Sequence, residues 1–560
     1  MHGLDRDLAN KLLKLLDNKQ FEKLQFEVEM LGDIKKQHSI IKLYYASSIY
    51  LKKTSKHQDL LTASCLFEEI YIKNKNHLQS LYNMIAVSLK TKVFKSVLPL
   101  AINAYQNNKN DLTLIEGLAR INFYLGNRKE SIEYFRTLYK NAPEKIEGRL
   151  SFISSLNYSS GIPQEEYLKE CLSYAYLLEK KLNIQNDDFN FNFNKNNKIK
   201  IAFLSGDLKT HSVSSFLKDI LVKINKEEFE INLLSNLKLI DNDSLSEDLK
   251  KEAKNWYDVE QFSDNDLTDF LRSLNLDILI DLSGYTRGNR HQVLARRCAK
   301  IQIEWLGYNN SLGLKNLDYL ISDNNLIKKD ELNLYKEKIL FLPKIWNALS
   351  PPKNLPEINK NISKNNSEFI FCSFNNFQKL SERTIFVWSQ ILKDTNSKIL
   401  LKNSLITGED LKSNILNKFL KNGVKKWQLV FLDREKNISD HLKLYNKANV
   451  ALDTFPYPGV TTSFEALLMG LPVLTMRGFN FNSRCGESII KNIDMENLIA
   501  QDEQDYISKA NALRSESNLI EIYGTKLRNR VLSSPLFDTD NFTKDFERLL
   551  KKVNNEYKLS

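Results

Sequence analysis

Thr461 and Thr462 open the run TTSFEALLMG, directly after an apolar strand end, VALD, and the turn TFPYPG. Two hydroxyls and the free N–H groups of a helix start face whatever sits beyond that strand, and an anion such as a phosphate is the first occupant to consider. Glu465 follows Thr462 by three residues, so one helical turn brings its carboxylate near the same place. There it can accept from a ribose diol, or close a capping box with Thr462, or do both. Lys379 follows the strand end FCSFNN with its polar pair Asn375–Asn376. At that position it can neutralise a diphosphate leaving group without a metal, although a solvent-exposed lysine is the default elsewhere in so lysine-rich a chain. His441 and Tyr445 share a helix face at i, i+4 in DREKNISDHLKLY. His211 lies in SGDLKTHSVSSFL, on the loop after a strand, where an imidazole can act on an acceptor hydroxyl or hold substrate; a capping or solvated histidine is the plain alternative.

These groups need strands and helices in alternation to bring them together. KIKIAFLSGD, FEINLLS, LDILIDLSG, KIQIEWLGY and LDYLISD form one α/β set, and FIFCSFN, KILLKN, WQLVFLD, NVALDT and LPVLTM a second. The polar stretch SPPKNLPEINKNISKNNSE between them acts as a hinge, and the pattern predicts two lobes facing a cleft, with FTKDFERLLKKV packing back across them. In the first set, glycines 284, 288, 307 and 313 end two strands, and Arg287, Arg290, Arg296 and Arg297 lie in the connecting segment as a ligand wall or as surface charge. Residues 1–160 read as helices only. Phe67, Ala101 and Phe135 are spaced 34 apart, as are Tyr71, Tyr105 and Tyr139, and LARINFYLGNRKESIEYFRTLYKNAPEK carries a Gly126–Asn127 turn and Pro143. A 34-residue helix–turn–helix period resembles the tetratricopeptide repeat. The Asn-rich stretch 184–199 reads as a linker.

Composition excludes several classes. Hydrophobic residues at 42% and charged residues at 27% of 560 are ordinary for a soluble globular chain. The net charge of +11 is spread along the sequence, so no basic arm for nucleic acid stands out. Five isolated cysteines form no CxxC pair, which indicates neither a zinc site nor a disulfide framework. There is no signal-peptide core and no apolar run long enough for a bilayer, so a cytoplasmic protein without membrane or nucleic-acid partners is expected.

The motifs THSVSSFL, DLSGYTRG, EWLGYNNSLG, FCSFNNFQKL and LDTFPYPGVTTSFEALLMGLPVLTM, in this order behind the repeats, resemble the O-linked N-acetylglucosaminyltransferase/SPINDLY family over residues 60–550, with THSVS and DTFPY closer to the SPINDLY branch. The resemblance implies a TPR-like superhelix over residues 1–160, a helical transition and linker at 161–199, and a GT-B fold of two Rossmann-like lobes at 200–347 and 348–560. It implies metal-independent, inverting transfer of one sugar from a nucleotide diphosphate to Ser or Thr of an acceptor protein held by the repeat arm. UDP-GlcNAc is the first donor and GDP-fucose the alternative; transfer to a lipid-linked or surface glycan precursor and a repeat scaffold with a dead transferase are the rivals. By the same resemblance Lys379 stabilises the diphosphate with Asn376 beside it, Thr461 and Thr462 contact the phosphates, and Glu465 the ribose. His441 then lines the base, His211 is the active-site histidine, and Leu306–Gly307 form a loop near the sugar. Four positions depart from the family: Asn309–Asn310 where Pro-Gly or Pro-Asn is frequent, and Val460 and Ile438 where the animal enzymes carry a histidine and a ribose-binding lysine.

Overall fold

The computed structural model describes residues 6–184, 189, 191, 198–358, 369–403, 409–515 and 524–559. Most of the linker at 184–199 and the second half of the hinge stretch lie outside them. The chain divides into two compact units, Met1–Ser155 with Leu405–Asn417, and Leu156–Ser404 with Lys418–Ser560.

The first unit is a stack of helical hairpins. Ser39–Leu51 pairs with His57–Lys73, Leu78–Thr91 with Val97–Asn107, and Leu112–Leu125 with Arg128–Asn141. Phe67, Ala101 and Phe135, the positions 34 apart, fall on the second helix of each hairpin and are 0% exposed. A hairpin cannot bury both of its faces alone, so the repeat recurs wherever the next hairpin covers it. Asp111 starts one helix by accepting from Thr113 N–H at 2.9 Å and Leu114 N–H at 3.0 Å. Gly126 ends it at φ 75°, and Asn127 N–H returns to Asn122 O at 2.9 Å. A side chain at Gly126 would be strained in that left-handed conformation. A segment far away in sequence joins this unit: Asp410 accepts from Phe94 N–H and from Lys95 N–H, and Asn414 Nδ2 donates to Leu125 O at 2.7 Å.

The second unit holds two parallel sheets. The first contains β1 (Ile199–Ser205), β2 (Phe229–Ser235), β3 (Asn255–Asp258), β4 (Ile278–Asp281), β5 (Ile301–Glu304), β6 (Tyr319–Asp323) and β7 (Lys338–Leu342), in the order β3-β2-β1-β4-β5-β6-β7. The second contains β8 (Ile370–Ser373), β9 (Lys398–Lys402), β10 (Leu429–Leu432), β11 (Val450–Leu452), β12 (Val473–Met476) and β13 (Ile499–Ala500), in the order β10-β9-β8-β11-β12-β13. Helices cover both faces of each sheet, which is why the central strands read as unbroken apolar runs instead of alternating ones. The last helix, Thr539–Leu559, packs on the first sheet, with Phe546 4.8 Å from Trp305. Phe216, one turn into the helix after β1, meets Phe464, in the first turn of the helix after β11, at 5.4 Å. The N-terminal halves of one helix from each lobe therefore come together, in the two-lobed GT-B arrangement.

Candidate functional site

The strand order reverses between β8 and β11, as it does between β1 and β4. Crossovers from such a pair leave in opposite directions, and their carboxyl ends open a crevice for ligands. In the second sheet that crevice is walled by the residues after Ser373 and Leu452.

Asp453, just beyond β11, organises it. Its carboxylate accepts from Gly459 N–H at 2.6 Å, Thr454 N–H at 3.0 Å, Thr475 Oγ1 at 2.9 Å and Asn375 Nδ2 at 3.3 Å. Burial pushes its carboxyl up to about 6, while these bonds and the Lys379 charge pull it back. The latch folds the TFPYPG turn and aims Asn375, whose Oδ1 accepts from Thr462 Oγ1 at 2.9 Å.

Lys379 ends the short turn Phe377–Lys379 and lies with its Nζ 4.1 Å from the centre of the Tyr457 ring, donating to Pro458 O at 2.8 Å. Loss of water brings its ammonium down to about 8, against the opposing pull of Asp453 and the Cys485 thiol. One N–H is bonded among the described residues, so two remain for phosphate oxygens. The helix Thr461–Leu468 starts beside it without any side-chain cap, its N-cap being Val460. Lys379 is tied to the turn that leads into this helix, and the Thr462 hydroxyl to Asn375 beyond β8, so a lysine, a hydroxyl and an uncapped helix start gather at the carboxyl ends of β8 and β11, an arrangement suited to a diphosphate.

Glu465 does not cap its own helix. Its Oε2 accepts from His441 Nε2 at 2.9 Å and from Tyr445 OH at 3.0 Å. Lys402 Nζ lies 2.5 Å from His441 Nδ1, so the ring accepts there and donates from Nε2 to the carboxylate. The i, i+4 pair read from sequence is real, with the His441 and Tyr445 rings 5.6 Å apart and Phe374 4.6 Å from Tyr445. This fixes the Glu465 carboxylate one helical turn from Thr461 with an imidazole bonded to it. Asn376 Oδ1 accepts from Gln378 N–H at 3.0 Å and caps the turn, while Asn375 Nδ2 reaches Asp453 at 3.3 Å.

In the first sheet His211 is the N-cap of Ser212–Lys223, its Nδ1 accepting from Val213 N–H at 3.4 Å, with Asp207 Oδ2 3.8 Å away. The ring is 43% exposed, and its helix is the one that meets Phe464. The capping role foreseen as an alternative is therefore present, and the ring stays partly exposed. Leu306 has φ 78°, a strained value for a leucine, and Gly307 N–H reaches back to Trp305 O at 3.0 Å. A Cβ on Gly307 would overlap the Leu282 carbonyl, so only glycine fits. Beneath this loop, Asp281 and Glu304 stand side by side on β4 and β5. Burial raises both carboxyls, Asp281 to about 6 and Glu304 well above the usual range. Among the four arginines, Arg290 is committed to Asn236, Asp264 and backbone carbonyls, Arg297 to Asp318, and Arg296 to Asn265, whereas Arg287 is exposed.

Sequence reasoning missed Asp453, Lys402 and Tyr457. Asp453 and Lys402 end apolar strands, the one signal that marked them. Tyr457 had none, since a turn tyrosine is unremarkable until a lysine sits on its face. Among the described residues, no three His, Cys, Asp or Glu side chains are grouped to hold a metal ion, and no helix is long and apolar enough to cross a membrane.

The family described as Glycosyl transferase family 41 matches at residues 168–362 and 361–546. A probable UDP-N-acetylglucosamine–peptide N-acetylglucosaminyltransferase SPINDLY of Oryza sativa subsp. japonica is 28% identical over 380 residues, covering 67% of this chain and 41% of its own length. The similarly described SEC protein of Arabidopsis thaliana is 27% identical over 368 residues, covering 64% of this chain and 37% of its own. The chain thus spans about two fifths of the length of the curated relatives it matches. A mutant of the Thermobaculum terrenum O-GlcNAc transferase superposes with a TM-score of 0.77 at 22% identity, covering 93% of this chain and 99% of that one, and so shares the fold.

Proposed function

The chain belongs to glycosyl transferase family 41, and from that premise we propose that it transfers one sugar, GlcNAc from UDP-GlcNAc, to Ser or Thr of an acceptor protein. The observation that carries this reading is the crevice after β8 and β11, where Lys379, Thr462 and the uncapped helix start that opens at Thr461 gather. In an inverting transfer the acceptor hydroxyl attacks the anomeric carbon and gives its proton to a base, for which His211 is the candidate, the bond from that carbon to the phosphate oxygen breaks, and the electron pair leaves with the diphosphate. Lys379 and the helix N–H groups stabilise that developing charge. Glu465 and His441 hold ribose and base, Leu306–Gly307 border the sugar, and His211 lies where an acceptor hydroxyl enters. No metal is required by this set of groups. The repeat hairpins bring the acceptor protein, and five free cysteines suit a reducing cytoplasm. A thermal-shift screen with UDP, GDP, UDP-GlcNAc and GDP-fucose tests the reading, because a ligand of the native state raises its melting temperature. UDP and UDP-GlcNAc should stabilise the protein; no shift with any nucleotide would sink the proposal, and a shift with the guanine pair alone would replace the donor.

A further inference from the structure

The Lys379 ammonium is held without a bonded counter-ion. Among the described residues it makes no ion pair, and its one hydrogen bond goes to the uncharged Pro458 O at 2.8 Å. Asp453 acts on it only through space, because that carboxylate is committed to Gly459, Thr454, Thr475 and Asn375. The other titratable groups near it are the Cys485 thiol, the Tyr457 phenol and, packed on that ring, the Tyr158 phenol. An ammonium that has lost water and gained no bonded carboxylate is costly to keep charged. What faces it instead is the Tyr457 ring, with Nζ 4.1 Å from the ring centre, inside the roughly 6 Å over which an aromatic face attracts a cation.

The chain is built to keep that ring in place. Thr454 Oγ1 donates to Tyr457 O at 2.6 Å and Gly459 N–H to the Asp453 carboxylate at 2.6 Å, so the turn is tied on both sides of the tyrosine. Phe455 O accepts from Ser381 Oγ at 2.8 Å and from Thr384 Oγ1 at 2.6 Å. Ser381 caps the helix Glu382–Thr395, which begins shortly after the turn that ends at Lys379. The segment that carries the lysine and the turn that carries the ring are therefore fastened to each other. Tyr158 packs on Tyr457 with ring centres 4.6 Å apart. The Tyr457 hydroxyl, by contrast, bonds to no other described residue, so the fold employs the face of the ring and not its polar end.

We propose that Tyr457 is a positioning residue of the transfer, its ring holding the Lys379 ammonium charged and in place for the departing diphosphate. This rests on the reading of Lys379 given above. A ring suits the task better than a carboxylate, because it attracts a cation and carries no net charge. A bonded carboxylate would cancel the charge on which the leaving group draws. The face favours the protonated amine. A side chain without one lets Lys379 lose its proton at lower pH, so nucleotide affinity weakens earlier as pH rises.

Tyr457→Leu keeps the turn apolar and removes the face, whereas Tyr457→Phe keeps the face and removes the hydroxyl. Phenylalanines carrying one, two or three fluorines in place of Tyr457 withdraw charge from the face at nearly constant shape. Each form would be titrated with UDP and with GDP across pH, with single-turnover donor cleavage measured beside it. Tyr457→Phe should match the parent. In Tyr457→Leu the alkaline fall in affinity should begin about half to one pH unit lower, which is about two- to fivefold weaker binding near pH 8 and little change in mildly acid solution. Along the fluorinated series the fall should move down with each fluorine. A loss equal at every pH, with no trend along that series, would make Tyr457 a packing residue and overturn the proposal. An unchanged fall in Tyr457→Leu, or a Tyr457→Phe that behaves like Tyr457→Leu, would overturn it too. If leucine prevents folding, the fluorinated series decides alone. A parent that binds neither UDP nor GDP would overturn the donor reading, and undiminished affinity in Lys379→Ala the reading of Lys379. A normal Lys379 effect with ring-independent affinity would overturn this proposal alone.

Discussion

Replacing Lys379 with alanine should remove most turnover and leave the fold standing, and the two effects can be sized separately. The ammonium is bonded to Pro458 O at 2.8 Å and lies 4.1 Å from the Tyr457 ring centre, where loss of water takes it from 10.5 to about 8. At about 1.4 kcal/mol per pKa unit, holding that charge costs the unliganded fold on the order of 3 kcal/mol. The hydrogen bond and the ring contact return about 1 kcal/mol each. Alanine removes both sides of this balance, so the melting temperature should move by no more than about 4 °C. The reaction has no such compensation. When the anomeric bond breaks, charge collects on the diphosphate, and losing one preorganised charge of this kind costs about 10²–10³ in rate. Donor hydrolysis and transfer to protein, each measured under single-turnover conditions beside a thermal melt, separate the two effects. Near-parental turnover by a folded variant would remove Lys379 from the chemistry. A fall in melting temperature beyond about 10 °C would instead make it a structural pin of the TFPYPG turn.

Affinity for UDP should be flat up to neutral pH and weaken above about 8, because the charged ammonium binds and Lys379 loses its proton through that range; Lys379→Arg should abolish the fall, since a guanidinium stays charged, and titration calorimetry across pH decides it. Activity should persist in excess EDTA, and recovery by Mg²⁺ or Mn²⁺ of a chelated, inactive sample would contradict the mechanism. Glu465→Ala strips the acceptor from His441 Nε2 and Tyr445 OH, so it should lose about 1–3 kcal/mol of stability as well as UDP affinity, measured by denaturant melts and titration. A truncation beginning at Asn110 keeps the Asp111 cap and the Leu112–Asn141 hairpin; it should bind UDP like the full chain and hydrolyse donor slowly, but lose most transfer to protein as the acceptor's effective concentration falls. Equal protein-transfer rates in the two forms would show that the repeats do not select substrate.

Local periods in the sequence were enough for the architecture. The 34-residue recurrence of Phe67, Ala101 and Phe135 requires a stack of hairpins, because each buries its apolar face only against the next. Apolar runs ending in polar or glycine-bearing turns, FCSFNN, VALDTFPYPG and EWLGY, already mark strand ends where a parallel sheet exposes its loops, and they pointed to Lys379, Thr461, Thr462 and Gly307. The residue types there made an anion the first ligand to consider. What the sequence could not contain was the pairing between those ends. Asp453 reaches Asn375 and Thr475, Lys402 reaches His441, and Asp410 joins Phe94 and Lys95, across separations that no local pattern encodes. The part played by Glu465 changed for the same reason: its nearest group along the helix was Thr462, but in three dimensions His441 and Tyr445 lie closer to its carboxylate. A hydrogen bond depends on distance in space, and only the strand order β10-β9-β8-β11-β12-β13, which sets β8 beside β11 and sends their crossovers apart, decided which polar ends would meet.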